Sequence, residues 1–120
     1  MMKGFLALVI CFVLMTACEK ENDSVQVEYR VVNGYSETGI SWRGCNEIMH
    51  TTDYLFTGAA DTWNQKIEVS PGQIVYLAGI YHDTASAVTL QIMIDGKLFR
   101  QKSSKNEPGK YLVVSGTVPY

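Results

Sequence analysis

The chain has 120 residues, of which 47% are hydrophobic and 11% aromatic, with a formal net charge of −2. This length predicts one folded domain. The slightly acidic balance argues against a nucleic-acid partner, because such partners require a strongly basic face. Two of the three cysteines, Cys11 and Cys18, lie near the N-terminus. Cys11 lies within the segment predicted below to be removed, and Cys18 directly follows that segment. Cys45 is therefore expected to be a lone thiol. It either bonds to another molecule or, as is more usual for free cysteine, is buried or half-buried.

The N-terminal segment has the composition of an export signal. Lys3 precedes the uncharged apolar run Gly4–Leu14, and Met15-Thr16-Ala17 ends in a small residue before Cys18. A bilayer span needs about 20 apolar residues, more than this run supplies. Residues 1–17 are therefore predicted to be a cleavable signal peptide. The alternative is an uncleaved anchor helix.

The four residues Met15–Cys18 resemble a lipobox, the motif in which the cysteine is acylated after the signal is removed. The resemblance implies lipid on Cys18, a membrane partner held through that lipid, and an extracytoplasmic location, expected to be the outer membrane on its periplasmic or surface face. Residues 18–24 are polar and acidic, which predicts a tether. They are also similar to the surface-export stretch of lipoproteins from Gram-negative gut anaerobes, with a plain solvated linker as the alternative.

From residue 25 onward the pattern is that of β-strands. Val25–Val31 alternates apolar and polar residues, as half-buried strands do. Ile40 and Trp42 alternate in a short second strand. Thr62–Val69 alternates again, which predicts three inward side chains: Trp63, Ile67 and Val69. Between them, residues 47–61 are the least regular, and this stretch could hold two short strands at residues 48–49 and 54–56.

The C-terminal half has sharper boundaries. Ser70–Gln73 is typical of a type II turn, because proline presets φ at the second position and glycine accepts positive φ at the third. Ile74–Tyr81 is almost wholly apolar, which predicts a central strand, with Ala87–Ile94 expected to pair with it. Asp95-Gly96 predicts a tight hairpin. Lys97–Gln101 and Tyr111–Val118 are predicted to form the remaining strands.

About seven short strands with regularly spaced turns predict an all-β fold, a single immunoglobulin-like antiparallel β-sandwich over residues 25–120. The run Val27–Val31, Trp63, Ser70–Gly72 with Val75–Ala78, and Val88–Lys97 resembles the extracytoplasmic domain of the MmpS family. That domain is such a sandwich, in proteins that assist MmpL lipid and siderophore exporters. The resemblance implies an accessory role beside an envelope transporter.

Aromatic side chains are the best candidates for ligand contact, since a ring offers a flat apolar face to a sugar or another ligand. Trp63 is expected in the core. For Trp42 both a core role and a stacking role stay open. The candidate ligand-binding residues are Trp42, Tyr35, Tyr54, Tyr81, His82 and Tyr111.

Other chemistry finds little support in the sequence. His50 and His82 are the only histidines and form no metal-binding motif, so no metal or cofactor is expected. No Gly-x-Ser-x-Gly nucleophile motif occurs, and the expectation is a non-enzyme. Five basic residues could bind an anionic partner, although a solvated edge hairpin is the simpler interpretation; they are Lys97, Arg100, Lys102, Lys105 and Lys110. The sequence thus predicts a lipid-anchored envelope protein with a binding or structural role, whose partner is another envelope protein or a glycan.

Overall fold

The computed structural model describes residues 24–58 and 60–120. Within them lie eight strands, and all strand pairs are antiparallel. The strands are β1 (Val25–Val32), β2 (Glu37–Arg43), β3 (Met49–Leu55), β4 (Thr62–Val69), β5 (Ile74–Tyr81), β6 (Thr89–Ile94), β7 (Lys97–Ser103) and β8 (Leu112–Thr117). The predicted signal peptide, Cys18 and most of the predicted tether lie outside the described residues.

The strands form two four-stranded sheets that pack as a sandwich. The first sheet has the order β4-β1-β6-β7 and the second the order β3-β2-β5-β8. The prediction of an all-β sandwich is confirmed, with eight strands where about seven were expected. The two packed antiparallel sheets have the architecture of an immunoglobulin-like sandwich. Only β2–β3 and β6–β7 are hairpins, and every other connection crosses from one sheet to the other.

Alternation along the strands builds the core. The odd-numbered residues of β1 and β5 face inward, and the buried side chains among them include Val27, Tyr29 and Leu77. Trp63 and Val69 are buried as predicted, and Ile67 packs against the same core. Strand β5 is central, also as predicted, but β6 does not pair with it. The expected pairing of Ala87–Ile94 with β5 is wrong because β6 joins β1 in the opposite sheet.

Two turns form as their residues dictate. Gly72 has φ +89° and the Gln73 N–H donates to the Ser70 carbonyl oxygen at 3.2 Å, in keeping with the type II turn. Asp95 and Gly96 have φ of 50° and 80°, the left-handed conformation that a type I′ hairpin needs at both central positions. A β-branched residue at position 96 would therefore be strained.

The sandwich has two different ends. The turn end holds the start of β1 and the short connections at residues 44–48, 70–73 and 95–96. The loop end holds the connections at residues 33–36, 56–61, 82–88 and 104–111, of which the last three are longer than any at the turn end. The loops are joined to one another, since the Tyr35 N–H donates to Ser86 Oγ and the Gly109 N–H donates to the Tyr81 carbonyl oxygen.

Cys45 lies in the β2–β3 connection and packs half-buried against the core. It is disulfide-bonded. The expectation of a lone thiol is therefore wrong, although the expectation that Cys45 is at least partly buried is confirmed.

Candidate functional site

The two lateral sides of the sandwich differ in how closely the sheets approach. On one side β7 and β8 pack against each other across the sheets, whereas β3 and β4 on the other side do not approach to the same degree. Some of the residues that face inward from β3 and β4 therefore stay accessible, although Trp63 and Val69 are buried. His50 and Gln65 belong to the inner faces of their strands and are nevertheless exposed. This open side is the candidate site.

An aromatic cluster of Trp42, Trp63 and His50 lines the open side. The Trp42 and Trp63 ring centroids are 5.0 Å apart with planes tilted by 54°. The His50 ring stacks on Trp42 at 5.4 Å with an interplanar angle of 21°. The register explains the stack, because Trp42 and His50 are directly paired across β2 and β3. Gly44 leaves room for the imidazole, since a Cβ there would lie 2.8 Å from His50 Nε2.

The cluster determines how a ligand could reach Trp42. One neighbour of its ring is the buried Trp63, and the other is the exposed His50. Trp42 is half-buried and packs against the core, so the core role holds in part, and the stacking role stays a prediction. A flat ligand would stack on Trp42 only after the His50 side chain rotates away, and such a rotation opens the ring to solvent.

Tyr54 lies further along the same side and is held by a carboxylate. Its hydroxyl donates to both oxygens of Asp61 at 2.8 and 2.9 Å, and its ring packs edge-on against Phe56. The hydrogen bond from Tyr54, with further ones from Thr57, holds the pKa of Asp61 below its usual range, and the same bond raises the pKa of Tyr54. The Tyr54 ring is thus fixed along the open side, and its hydroxyl is already hydrogen-bonded to Asp61.

The other candidate aromatics lie at the loop end, apart from Trp42. Tyr35 and Tyr111 are 65% and 70% exposed, and His82 is exposed directly after β5. Tyr81 is buried: its hydroxyl accepts from the Glu107 N–H and bonds Ser104 Oγ at 3.0 Å. Tyr81 therefore fixes the β7–β8 loop and is not accessible to a ligand. The six candidates do not form one face.

Asp83 organises the loop end, a role that no sequence pattern indicated. Its carboxylate accepts from Ser36 Oγ at 2.6 Å, from Ser86 Oγ at 2.8 Å and from the Ser86 N–H at 2.7 Å. Burial acts to raise the pKa of Asp83, but these hydrogen bonds outweigh it and leave the pKa below its usual value. The β1–β2 and β5–β6 loops are thereby held together beneath Tyr35.

The outer faces of the two sheets form a second contrast. The first sheet is covered by a polar network in which Glu28 accepts from Arg30 at 3.2 Å and from Asn64 at 3.0 Å. On the outer face of the second sheet, β5 and β8 carry no charged side chain. The uncharged residues there are Ile74, Tyr76, Ala78, Ile80, Val113, Ser115 and Thr117. Ile74 is half exposed and Val113 is exposed as well.

Three of the five basic residues lie on an edge hairpin, and binding of an anionic partner stays a prediction. Lys97, Arg100 and Lys102 lie on β7, an edge strand of the first sheet, and the Arg100 guanidinium lies 4.2 Å from the centre of the Phe99 ring. Lys110 lies 3.9 Å from Glu107 in the next loop. Charged side chains on an edge strand oppose pairing with another chain.

Among residues 24–58 and 60–120, no three or more His, Cys, Asp or Glu side chains come together as metal ligands would. Within the same ranges there is no helix long and apolar enough to cross a bilayer. The chain matches no protein-family model and no curated protein sequence.

Proposed function

We propose that this chain is a lipid-anchored bacterial envelope protein whose β-sandwich has a non-catalytic binding or structural role. The observation that carries the proposal is the sequence around Cys18, where a basic residue, an apolar run and Met15-Thr16-Ala17 precede the cysteine. The folded domain supports it, because β1 starts at Val25, directly after the polar residues 18–24. A short polar tether before a folded domain is compatible with an anchor on Cys18. The proposal requires that the anchored chain does not keep a disulfide between Cys45 and either N-terminal cysteine, because cleavage removes Cys11 and the lipid occupies Cys18.

The position of β1 gives the anchored domain an orientation. Six residues lie between Cys18 and Val25. They make seven steps of at most about 3.3–3.6 Å each, so the tether reaches roughly 25 Å. Because β1 starts at the turn end, that end faces the bilayer. The loop end, with Tyr35 and Tyr111, faces away from it and is available to partners.

The uncharged β5–β8 part of the outer face of the second sheet favours a protein partner over a glycan. Exposed apolar side chains without charges are typical of protein interaction sites, and Ile80 and Val113 lie on adjacent strands of that face. This supports an accessory role beside an envelope transporter, as the MmpS resemblance implies. A carbohydrate-binding role remains the alternative, and it would use the loop-end tyrosines, since His50 covers Trp42.

Metabolic labelling with an alkyne fatty acid tests the anchor. We expect the wild-type chain to carry the label and to fractionate with membranes, and Cys18→Ala to lose the label and to accumulate as a precursor. Cys11→Ala is the matched control, because it removes a cysteine from the apolar run without touching the lipobox. Label retained by the Cys18→Ala chain would overturn the anchor.

Site-specific photo-crosslinking in intact cells tests the partner face. A photoreactive amino acid at Ile80 is expected to give a discrete crosslinked band. The same residue at Gln91, on the outer face of the polar first sheet, serves as the control and is expected to give none. Equal bands at both positions, or none at Ile80, would contradict the proposed partner face.

A further inference from the structure

The four edge strands of the sandwich differ in their protection against pairing with another chain. Strand β4 carries Lys66. Strand β7 carries three basic residues, and its pairing with β6 has a register shift between Ile92 and Met93 of β6. Strand β8 has β7 packed against it across the sheets. Charges, bulges and covering elements are the usual protections of a sheet edge. In the described part of the chain, strand β3 has no lysine or arginine, no register shift and no covering strand, and its one charged residue is Asp53.

The composition of β3 favours association. Its only charged residue is Asp53, it contains neither proline nor glycine, and it runs for seven residues. Large apolar side chains lie exposed at both of its ends, since Met49 and the preceding Ile48 are 49% and 55% exposed and Leu55 is 65% exposed. A long edge strand with few charges and exposed apolar ends is a template for a further strand.

The hydrogen bonds that flank β3 identify its free backbone groups. The Gly44 N–H donates to the Ile48 carbonyl oxygen and the Phe56 N–H donates to the Ser36 carbonyl oxygen. In an antiparallel pair, successive residues alternate between bonding to the partner strand and facing away from it. The even-numbered residues of β3 therefore bond to β2. The odd-numbered ones direct their N–H and C=O groups to the open edge, and these are Met49, Thr51, Asp53 and Leu55.

We propose that two copies of this chain dimerise by antiparallel pairing of β3 with β3, about a two-fold axis at Thr52. In this register Met49 pairs with Leu55 of the second copy, and Thr51 pairs with Asp53. All four are residues whose backbone groups face the edge, so hydrogen-bonded pairs form where an antiparallel ladder needs them. Thr52 meets Thr52 as a non-hydrogen-bonded pair, and the two second sheets become one continuous sheet.

The side chains of this register complement one another. Exposed Met49 packs on exposed Leu55 at both ends of the strand, and the Thr51 hydroxyl can donate to the Asp53 carboxylate. No like charges are opposed. The neighbouring strand adds to this, because Arg43 lies beside Met49 and Glu37 lies beside Leu55. Antiparallel pairing therefore brings a basic end of one β2 toward the acidic end of the other.

The interface of one strand pair is small, so the expected dimer is weak and depends on concentration. Cysteine crosslinking in intact cells detects it without purification. Opposed non-hydrogen-bonded residues have Cα atoms about 4.5 Å apart, within the range that a disulfide spans. Thr52→Cys is therefore expected to give a covalent dimer on a non-reducing gel. The parent chain and Thr51→Cys, which would face Asp53, are expected to stay uncrosslinked.

Sedimentation equilibrium of the purified full chain supplies an independent test. Thr51→Pro removes an N–H that only the dimer uses, and we expect it to remain monomeric where the parent chain doubles its mass. Ser115→Pro is the matched control on the other edge of the same sheet. There the Val118 N–H donates to the Gln73 carbonyl oxygen, so the odd-numbered residues of β8 face away from β5. This variant is expected to dimerise like the parent chain.

Three results would overturn the proposal. The first is a parent chain that stays monomeric at all concentrations, and the second is a dimer that persists in Thr51→Pro. The third is crosslinking that is as efficient at position 51 as at position 52. If Thr51→Pro fails to fold, the crosslinking experiment still decides, since it leaves the backbone of β3 unchanged.

Discussion

The two lateral sides of the sandwich are completed by different means. On the β7–β8 side the sheets converge until the Phe99 ring lies against Gly116, where an added Cβ would be 2.7 Å from the ring. On the β3–β4 side the sheets stay apart and the aromatic cluster of Trp42, Trp63 and His50 fills the space. The first side depends on the absence of a side chain, and the second on the presence of large ones. One side is therefore sensitive to added volume and the other to lost volume.

The largest effect is expected from Trp63→Ala, which removes the buried member of the open side. Trp63 is 9% exposed, and cutting a buried tryptophan to alanine costs about 3–5 kcal/mol. Chemical denaturation followed by circular dichroism measures the loss. Trp42→Ala is the comparison, with a smaller expected loss because Trp42 is only half-buried. The two effects should not be additive in the double variant, since the rings are in contact.

Tyr29 lies one strand in from the open side and links the sheets. Its hydroxyl donates to the Arg43 carbonyl oxygen at 2.7 Å. Burial raises the pKa of Tyr29 to about 12, whereas an unfolded tyrosine has a pKa of about 10. The unfolded chain therefore loses its proton first, and stability should fall by about 2–3 kcal/mol as the pH rises through this window.

Unfolding measured at several alkaline pH values checks this expectation. In Tyr29→Phe the fall in stability between pH 10 and pH 12 should be smaller by that amount, because the other titrating groups are unchanged. Identical pH profiles for the two chains would contradict the assignment.

Gly116→Ala probes the closed side. The added methyl group forces Phe99 to move, and overpacking of this kind costs about 1–3 kcal/mol. A smaller side chain opposite should relieve it, so Phe99→Leu combined with Gly116→Ala is expected to be more stable than the sum of the single changes predicts. Thermal unfolding of the four chains completes the cycle. Additive effects would mean that the two residues do not limit each other's volume.

The smallest effect is expected from His50→Ala. The imidazole is exposed, and stacking on a neighbouring ring contributes about 0.5–1.5 kcal/mol, so the loss of stability should lie near the lower value. The change nevertheless uncovers Trp42, and tryptophan emission should move to longer wavelength. His82→Ala, which removes the other histidine, is the control and should leave the emission unchanged.

The strands were predictable where hydrophobic alternation survives. Val25–Val31 and Thr62–Val69 alternate because one face of each strand is buried, and both are strands in the structure. Strand β3 was interpreted as two short pieces. It is an edge strand whose inner and outer residues are both largely exposed, so burial imposes no alternation on Met49–Leu55. The pairing of β6 was also missed, because the sequence does not encode which sheet a crossing connection enters.

The candidate site was predicted less well than the fold. Tyr81 was placed among the ligand contacts because it lies beside a loop, yet its odd position on β5 puts it in the core with Val75 and Leu77. His50 was overlooked as the cover of Trp42. The β2–β3 hairpin places them opposite each other, but its turn has no standard two-residue form from which the register could be read. Asp83 and Asp61 act through hydrogen bonds with loop residues, which no periodicity reveals.

The crossing connections also govern when the domain can fold. Strand β1 acquires its neighbours only from β4 and β6, and β2 acquires its second neighbour only from β5. Hardly any part of either sheet is complete until distant segments have met, and chains dominated by such non-local pairing fold slowly, in milliseconds to seconds. Slow folding leaves the polypeptide unfolded for longer after its synthesis. That delay suits a chain that, as we propose, crosses a membrane before it folds.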